Sequence, residues 1–428
     1  MPSPARRHAL AVLAEIARGR GTLADALAAP AVAALDERER GLLHELVLGV
    51  LRRRGWLDHT LGPLVSRPLA KVAPGVLDAL RLGAYQLLFT RVPAHAALSE
   101  SVELARSVEP RAAGFANAVL RRLQREGAPP EPDAAADPLH WLTTFGSLPS
   151  WLAQRWCGQL GGVAAVRRAR AFLDPPALHF RTNPRVADAD QILAEAGIRA
   201  EPGLVPGSRT LLDGRLTPFL ENGTAYAQDM GSQLVGWLAS SEGTVLDACA
   251  APGGKSLLVA DLGRGRTRVI AAEASLRRLR TLERLRARWG AAQVCVVAAD
   301  ARRPPFTRPF DAVLLDAPCS GLGTIARHPD IRWRCGPGEP TRQARRQREL
   351  MEALAPLVRV GGLLVYATCS VEPEENEGVV RPFLDSHGEF VIDALPDWLG
   401  SHAHDGFVRL EPGKARGDAF FAARLRRR

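Results

Sequence analysis

The stretch LDACAAPGGK, residues 246–255, decides the fold. An apolar strand ends in a loop that contains Gly253 and Gly254, and a helix follows, so that backbone N–H groups can approach a ligand closely. The loop has neither the G-x-G-x-x-G spacing of dinucleotide sites nor the G-x-x-x-x-G-K-[ST] spacing of phosphate-binding loops. We therefore predict a strand–loop–helix unit that suits a nucleotide-like cofactor but lacks a phosphate cradle.

Apolar strands alternate with helices from residue 226 onward. The predicted strands are 245–249, 268–273, 293–300, 311–317 and 363–368, with helices at 275–289 and 341–358 and a closing hairpin formed by 407–410 and 419–425. Continuous apolar strands separated by helices indicate a parallel sheet that is covered on both faces. The predicted fold class of 226–428 is therefore α/β and Rossmann-like, a mostly parallel sheet with a C-terminal antiparallel hairpin.

The N-terminal part shows only helical periodicity. Apolar residues recur at i, i+3, i+4 and i+7, for example at Leu43, Leu46, Val47 and Val50. We predict an all-helical domain at 1–130, followed by a proline-rich linker and a small α+β connector at 140–225. A chain of 428 residues is long enough for this division.

Composition narrows the class of protein. No apolar run reaches the ~18–20 residues that span a bilayer, and the N-terminus is a poor signal peptide, so a cytoplasmic location is expected. The six cysteines show no metal-site spacing, and no metal is expected. The net charge of +10 is spread along the chain, which suits either RNA or an ordinary solvated surface. Lysine occurs only at Lys71, Lys255 and Lys414, so Lys255 at the glycine loop indicates a need for a compact ammonium.

Acidic residues end three successive predicted strands. Glu273, Asp300 and Asp316 follow the second, third and fourth strands. Ligands of open α/β sheets bind at the carboxyl ends of the strands. Although a lone acid in such a place is more often a helix cap, three below a glycine loop favour a nucleoside-bearing cofactor whose ribose and adenine they contact.

Two cysteines also lie at predicted strand ends. Cys319 follows Asp316 in LLDAPCSG (314–321), and Cys369 ends LLVYATCS (363–370). In a parallel sheet these strand ends can be neighbours, so both thiols can reach one pocket. Buried core cysteines are the alternative, which would be preferred for a single cysteine. The residues alone do not rank the two thiols as nucleophiles.

These motifs together resemble those of a known family. The stretches 246–255, 314–333 and 363–376 are similar to the core motifs of S-adenosylmethionine-dependent RNA cytosine-5 methyltransferases that use two cysteines, and GDAFFAARL (417–425) resembles their closing strand. The helical stretches 39–58 and 114–123 resemble the NusB-like RNA-binding domain that is joined to this core in the bacterial RsmB/Sun family.

The resemblance implies a role for each matching residue. Cys369 would be the nucleophile that adds to carbon 6 of cytosine, and Cys319 would act after methyl transfer to release the product. Asp316 and Lys255 would assist at the reacting groups. The implied S-adenosylmethionine contacts are Cys249, Ala250, Ala251, Pro252, Gly253, Gly254, Lys255, Glu273, Asp300 and Asp316.

The implied substrate is a cytosine in small-subunit (16S) ribosomal RNA that leaves its stack to enter the pocket. RNA contacts are expected from Arg327, His328 and Asp330, with surface salt bridges as the alternative. Further contacts are expected from basic residues of the helical domain: Arg52, Arg53, Arg54, Arg121, Arg122 and Arg125.

Three alternative functions remain open, namely a transfer RNA methyltransferase, a non-catalytic RNA-binding factor and an amino-group methyltransferase. The oligomeric state, the protein partners and the modified cytosine are left open.

Overall fold

A computed structural model describes residues 2–19, 21–412 and 417–428, so Lys414 lies outside the described residues. The chain divides into two compact units. The first comprises 1–174 and 325–337, and the second comprises 175–324 and 338–428. A short segment from the middle of the predicted catalytic domain therefore belongs to the helical unit.

The first unit is entirely helical. Its helices are α1 (Pro4–Ala17), α2 (Leu23–Leu27), α3 (Pro30–Ala33), α4 (Glu37–Leu61), α5 (Pro74–Phe89), α6 (Ala94–Val108), α7 (Ala112–Glu126), α8 (Pro138–Thr143), α9 (Ser150–Leu160) and α10 (Gly162–Ala171), with the later single turn α16 (Ile331–Arg334). The predicted apolar stripe at Leu43, Leu46, Val47 and Val50 is buried in the core of this unit. The predicted helical N-terminal domain is confirmed.

The helical unit extends beyond residue 130, where the predicted domain ends. The N–H of Gly55 in α4 donates to Ser147 Oγ at 2.7 Å, and the Trp56 and Phe145 rings meet edge to face. These contacts join the region of α8–α10 to α4. The predicted connector, 140–225, is therefore divided between the two units.

The segment 325–337 is joined to the helical unit by arginines that donate to backbone carbonyls. The Arg332 guanidinium is fully buried, and it donates to the carbonyls of Arg52, Ser147, Phe172 and Ile325 at 3.1–3.3 Å. In return, the Arg52 side chain donates to the carbonyl of Ala326 at 2.8 Å. Burial lowers the pKa of Arg332 to about 9, which leaves the side chain charged at neutral pH.

The second unit contains two sheets. Its elements are β1 (His179–Thr182), α11 (Ala189–Glu195), β2 (Arg199–Pro202), β3 (Arg209–Asp213), α12 (Thr217–Glu221), β4 (Ala225–Ala227), α13 (Met230–Leu238), β5 (Gly243–Asp247), α14 (Gly254–Leu262), β6 (Thr267–Glu273), α15 (Leu276–Trp289), β7 (Val294–Ala298), β8 (Phe310–Asp316), α17 (Glu339–Leu354), β9 (Val358–Thr368), α18 (Glu377–Ser386), β10 (Phe390–Ile392), β11 (Ala403–His404), β12 (Phe407–Leu410) and β13 (Phe420–Arg427). A small antiparallel sheet has the order β2-β3-β1-β4.

The large sheet has the order β11-β12-β13-β9-β8-β5-β6-β7, and β10 pairs with β13. The pairs among β5, β6, β7, β8 and β9 are parallel, whereas β13 is antiparallel to β9 and to β12. Apolar side chains of alternate strand residues form separate cores on the two faces of the sheet. The predicted mostly parallel sheet with its antiparallel hairpin is confirmed.

The strand β9 begins five residues before the prediction, at Val358 rather than at residue 363. The glycines Gly361 and Gly362 lie inside the strand, and Gly361 has a φ of +74°. The register between β8 and β9 shifts at this place, which indicates a bulge.

None of the helices in the described part of the chain has the length and apolarity that a bilayer crossing requires.

We predict that Arg332→Met lowers the free energy of unfolding of the helical unit by about 3 kcal/mol, because it leaves several buried carbonyls without a donor. Urea unfolding followed by tryptophan fluorescence measures the change. The matched control is Arg122→Met, which removes an exposed arginine that pairs with Glu126. The control should change stability by less than about 0.5 kcal/mol. Equal stability of the two variants would contradict the prediction.

Candidate active site

The two cysteines meet because β8 and β9 are adjacent and parallel. Asp316, the last residue of β8, is in register with Ala367, and the N–H of Ala317 donates to the carbonyl of Ala367 at 2.8 Å. Both strands then turn at their carboxyl ends. The sulfur atoms of Cys319 and Cys369 lie 3.2 Å apart, and both residues are half-buried. The structure therefore brings together the two thiols that the sequence placed at strand ends.

The Cys319 thiol is held in its protonated form. The hydrogen bond with Cys369 raises the pKa of Cys319 well above its ordinary value, and burial raises it further. Cys319 is therefore the thiol that keeps its proton, and it can donate that proton to the sulfur of Cys369.

Lys255 is the cation of the site. Its ammonium donates to Asp316 Oδ2 at 2.6 Å. Burial lowers the pKa of Lys255, but the carboxylates of Asp316 and Asp247 and the sulfur of Cys369 more than offset this effect, so the pKa is raised overall. The side chain is therefore an ammonium ion at neutral pH, and it stabilises negative charge on Cys369.

Asp247 is an acidic residue of the site that sequence reasoning missed. It ends β5, is almost completely buried, and accepts a hydrogen bond from Ser256 Oγ at 2.6 Å. Burial raises its pKa to about 6. Its other oxygen, Oδ1, has no hydrogen-bond partner among the described residues. Its place in LDACAAPGGK, at the end of the strand before the glycine loop, is the signal that could have identified it.

The glycine loop forms a close-fitting turn. Gly253 has a φ of +114°, a conformation that side chains rarely adopt, and α14 begins at the next residue. A Cβ atom on Gly254 would lie 2.7 Å from the ring of Tyr226. Cys249 lies in the same loop, and burial together with the nearby carboxylates raises its pKa to about 12. Cys249 is thus unsuited to nucleophilic chemistry.

The other two predicted acids also end strands of this sheet edge, but their settings differ. Glu273 is buried at the end of β6, where it accepts from the Ser275 N–H at 2.9 Å and pairs with Arg278 at 3.0 Å. Asp300 follows β7 and is half-buried. Its hydrogen bonds with Arg302 lower its pKa to about 2. A ligand's hydroxyl or amino group can therefore bind either side chain only in competition with an arginine.

These residues fit a nucleoside-bearing cofactor that carries an ammonium group. The buried Oδ1 of Asp247 lacks a donor, and a cofactor ammonium group is such a donor. The loop 249–255 packs so tightly that only glycine fits at 253 and 254 without displacing neighbouring atoms or straining the backbone. Among the described residues, no cluster of three histidine, cysteine or acidic side chains is arranged to hold a metal ion.

The residues predicted to contact RNA lie in the helical unit. Arg327 is half-buried and His328 is exposed, so an RNA contact by either one stays a prediction. Asp330, in contrast, is buried and its carboxylate accepts from Arg334 at 2.7 Å, which is a structural ion pair.

The prediction that Arg52 contacts RNA is wrong because its side chain is buried, whereas RNA contacts by the half-buried Arg53 and Arg54 stay predictions. Arg52 is buried and bonded to the Ala326 carbonyl, while Arg53 pairs with Asp174 and Arg54 lies over the Trp333 ring. Burial lowers the pKa of all three guanidinium groups. By contrast, α7 carries exposed arginines, namely Arg121, Arg122 and Arg125.

Comparison with known proteins agrees with this architecture. The family described as 16S rRNA methyltransferase RsmB/F matches residues 236–426, and the NusB family matches 3–125. The chain is 37% identical over 412 residues to "Probable ribosomal RNA small subunit methyltransferase B" of Bacillus subtilis (strain 168), covering 92% of each chain.

The chain belongs to the RsmB/F family of 16S rRNA methyltransferases. It is also 35% identical to "Ribosomal RNA small subunit methyltransferase B" of Sodalis glossinidius (strain morsitans), covering 95% of this chain and 94% of the relative. The crystal structure of PH0851 aligns with a TM-score of 0.79 and 25% identity over 100% of this chain and 99% of the other. The chain described here is therefore an RNA methyltransferase that uses S-adenosylmethionine, as its sequence resemblance implied.

We predict that Cys249 in the folded protein reacts with iodoacetamide about a thousandfold more slowly than free cysteine at pH 8, because so little of it is ionised. The rate should rise about tenfold per pH unit up to pH 11. Mass spectrometry of the peptide that contains Cys249 measures the modification. The urea-unfolded chain serves as the control and should react at the rate of free cysteine. A fast reaction in the folded protein would show that the thiol is not shielded.

Proposed function

We propose that this protein transfers the methyl group of S-adenosylmethionine to carbon 5 of a cytosine in small-subunit (16S) ribosomal RNA through a covalent cysteine adduct. The observation that carries the proposal is the 3.2 Å separation of two thiols beside the Lys255–Asp316 pair. A single strand-end cysteine would be compatible with a structural role, whereas two sulfurs in contact at the cofactor edge suit nucleophilic addition and elimination on a pyrimidine.

Cys369 is the proposed nucleophile. Its thiolate adds to carbon 6 of the cytosine, which makes carbon 5 electron-rich. Lys255 stabilises the thiolate before the addition, and its salt bridge with Asp316 holds the ammonium in place. Asp316 is also proposed to contact the cytosine ring, since half-exposure leaves its other oxygen available. When bound, S-adenosylmethionine supplies the electrophilic methyl group.

Cys319 is the proposed base that releases the product. Its pKa is raised first by the hydrogen bond with Cys369 and further by the charge on that sulfur. Formation of the bond between Cys369 and carbon 6 removes the charge on that sulfur and weakens the hydrogen bond, which lowers the pKa of Cys319 although burial still raises it, and Cys319 then gives up its proton to solvent. The resulting thiolate accepts the proton from carbon 5, and the Cys369–carbon 6 bond breaks to restore the Cys369 thiolate.

The cofactor would lie across the carboxyl ends of β5, β6 and β7. Residues 249–255 would enclose it, Glu273 would accept from the ribose hydroxyls and Asp300 from the adenine amino group. Asp247 is the proposed acceptor for the amino group of the methionine portion, because its buried oxygen lacks a donor. The match to the 16S rRNA methyltransferase family supports RNA as the substrate, and the helical unit, which matches the NusB family, is proposed to help bind it.

We predict that Cys369→Ala reduces methyl transfer to 16S ribosomal RNA by a factor of about 10³ or more, because the nucleophile is lost. Transfer of a radiolabelled methyl group measures the activity, and calorimetric titration measures cofactor affinity. The affinity should stay within about threefold of that of the unmodified protein, since the residue is not needed to hold the cofactor. Full activity in this variant would exclude the assigned nucleophile.

We predict that Cys319→Ala accumulates a covalent protein–RNA adduct, because the step that removes the carbon 5 proton is blocked. A band of reduced mobility on a denaturing gel, formed only with both 16S ribosomal RNA and S-adenosylmethionine, is the expected result. The double variant Cys319→Ala, Cys369→Ala should give no such band. Absence of the adduct in the single variant would argue against the release role, and an adduct with transfer RNA alone would favour that substrate instead.

A further inference from the structure

One carboxylate that the proposed chemistry does not use lies behind the two cysteine loops. Glu375 follows β9 in a short turn, Pro373–Glu375, and is completely buried. Burial raises its pKa, yet both of its oxygens receive hydrogen bonds. Buried polar groups are ordinarily hydrogen-bonded, and the donors to this carboxylate hold it in a defined place.

The donors come from both cysteine loops. Glu375 Oε1 accepts from the backbone N–H of Ser320 at 2.7 Å, and Oε2 accepts from the hydroxyls of Ser320 and Ser370 at 2.5 Å each. Ser320 directly follows Cys319, and Ser370 directly follows Cys369. One carboxylate group is thus bonded to the residues next to both thiols.

The turn that carries Glu375 is itself held from several sides. The hydroxyl of Tyr366 in β9 donates to the Glu375 carbonyl at 2.5 Å. The Asn376 amide donates to the Ser370 carbonyl at 3.1 Å. Gln347 of α17 donates both to Glu375 Oε1 at 3.1 Å and to the Pro318 carbonyl at 2.9 Å. The carboxylate therefore has a fixed position from which to hold the loops.

The need for such a residue follows from the sheet. The β8–β9 ladder ends at Asp316 and Ala367, with one further hydrogen bond from the Ala317 N–H. Beyond that point the two chains turn away from the sheet, and one more backbone bond joins them, from the Gly323 N–H to the Cys369 carbonyl at 2.9 Å. The position of Cys319 relative to Cys369 depends on contacts outside the ladder.

We propose that Glu375 is a positioning residue, which sets the separation of the Cys319 and Cys369 sulfurs by bonding the serine after each of them. It acts through geometry, since its carboxylate touches the serines rather than the reacting atoms. The catalytic value of this role rests on the proposed cysteine mechanism, but the geometry can be measured without RNA or cofactor.

The experiment measures how fast diamide oxidises the two thiols to a disulfide in the full chain. Each thiol gives up one hydrogen, a bond forms between the sulfurs, and the diazene group of diamide is reduced to a hydrazine by the two hydrogens. Mass spectrometry of the linked peptides identifies the Cys319–Cys369 product. We expect Glu375→Ala to slow this reaction by about tenfold, because the loops lose their shared acceptor.

Two further variants separate the causes. Glu375→Gln should keep the rate within about threefold of that of the unmodified protein, because the amide oxygen still accepts from the Ser320 N–H and the amide nitrogen can donate to both hydroxyls. The matched control is Glu377→Ala, which removes a nearby carboxylate that pairs with Arg409 and should leave the rate unchanged.

An unchanged rate in folded Glu375→Ala would overturn the proposal. A rate in Glu375→Gln as slow as that in Glu375→Ala would also overturn it, because the charge rather than the bonding geometry would then be responsible. If Glu375→Ala does not fold, the double variant Ser320→Ala, Ser370→Ala takes its place with the same expected slowing and the same contrary result.

Methyl transfer distinguishes this role from the proposed function itself. In the proposed mechanism, Glu375→Ala lowers kcat by about tenfold and leaves the KM for S-adenosylmethionine unchanged. Slow oxidation together with no methylation of cytosine by the unmodified protein would leave the positioning role standing while rejecting the proposed reaction. Normal oxidation with slow methylation would reject the positioning role alone.

Discussion

The parallel pairing of β8 with β9 is the constraint on which the active site depends. The two strands are separated in sequence by a segment of the helical unit and by α17, yet the register that pairs Asp316 with Ala367 places their carboxyl ends side by side. Cys319 lies three residues after Asp316, and Cys369 lies two residues after Ala367. Because the two strand ends are side by side, the two cysteines that follow them meet. A slip of one residue would turn the side chains of one strand to the opposite face and separate the site.

Charged side chains at this edge also act on one another. Lys255, Asp316 and Asp247 form a partly buried row of charges in which each group shifts the proton affinity of another. An ammonium group suits this row better than a guanidinium group, because it is compact and needs no planar partner. This physical reason accounts for one of the rare lysines in a chain that otherwise uses arginine.

The arginines of the helical unit show how positive charge can serve folding rather than RNA binding. The Arg332 side chain donates to the backbone carbonyl of Arg52, and the Arg52 side chain donates to the carbonyl of Ala326. These bonds make a stretch of the catalytic sequence, 325–337, part of the helical unit. Buried guanidinium groups are stable there because several carbonyls together replace water. The net charge of +10 therefore overstates the positive charge that is available to a phosphate backbone.

The sequence by itself determined the fold class, the helical N-terminal domain and most of the residues at the carboxyl edge of the sheet. Periodicity and strand-end motifs are local features, and local features decide which residues become strands, helices and glycine turns. Only the tertiary structure decided that the thiols touch, that Asp247 has an unused buried oxygen, that Glu375 joins two loops and that 325–337 lies with the helices. Each of these depends on atoms that are distant in sequence, and their distances and burial follow from packing, which no local pattern encodes.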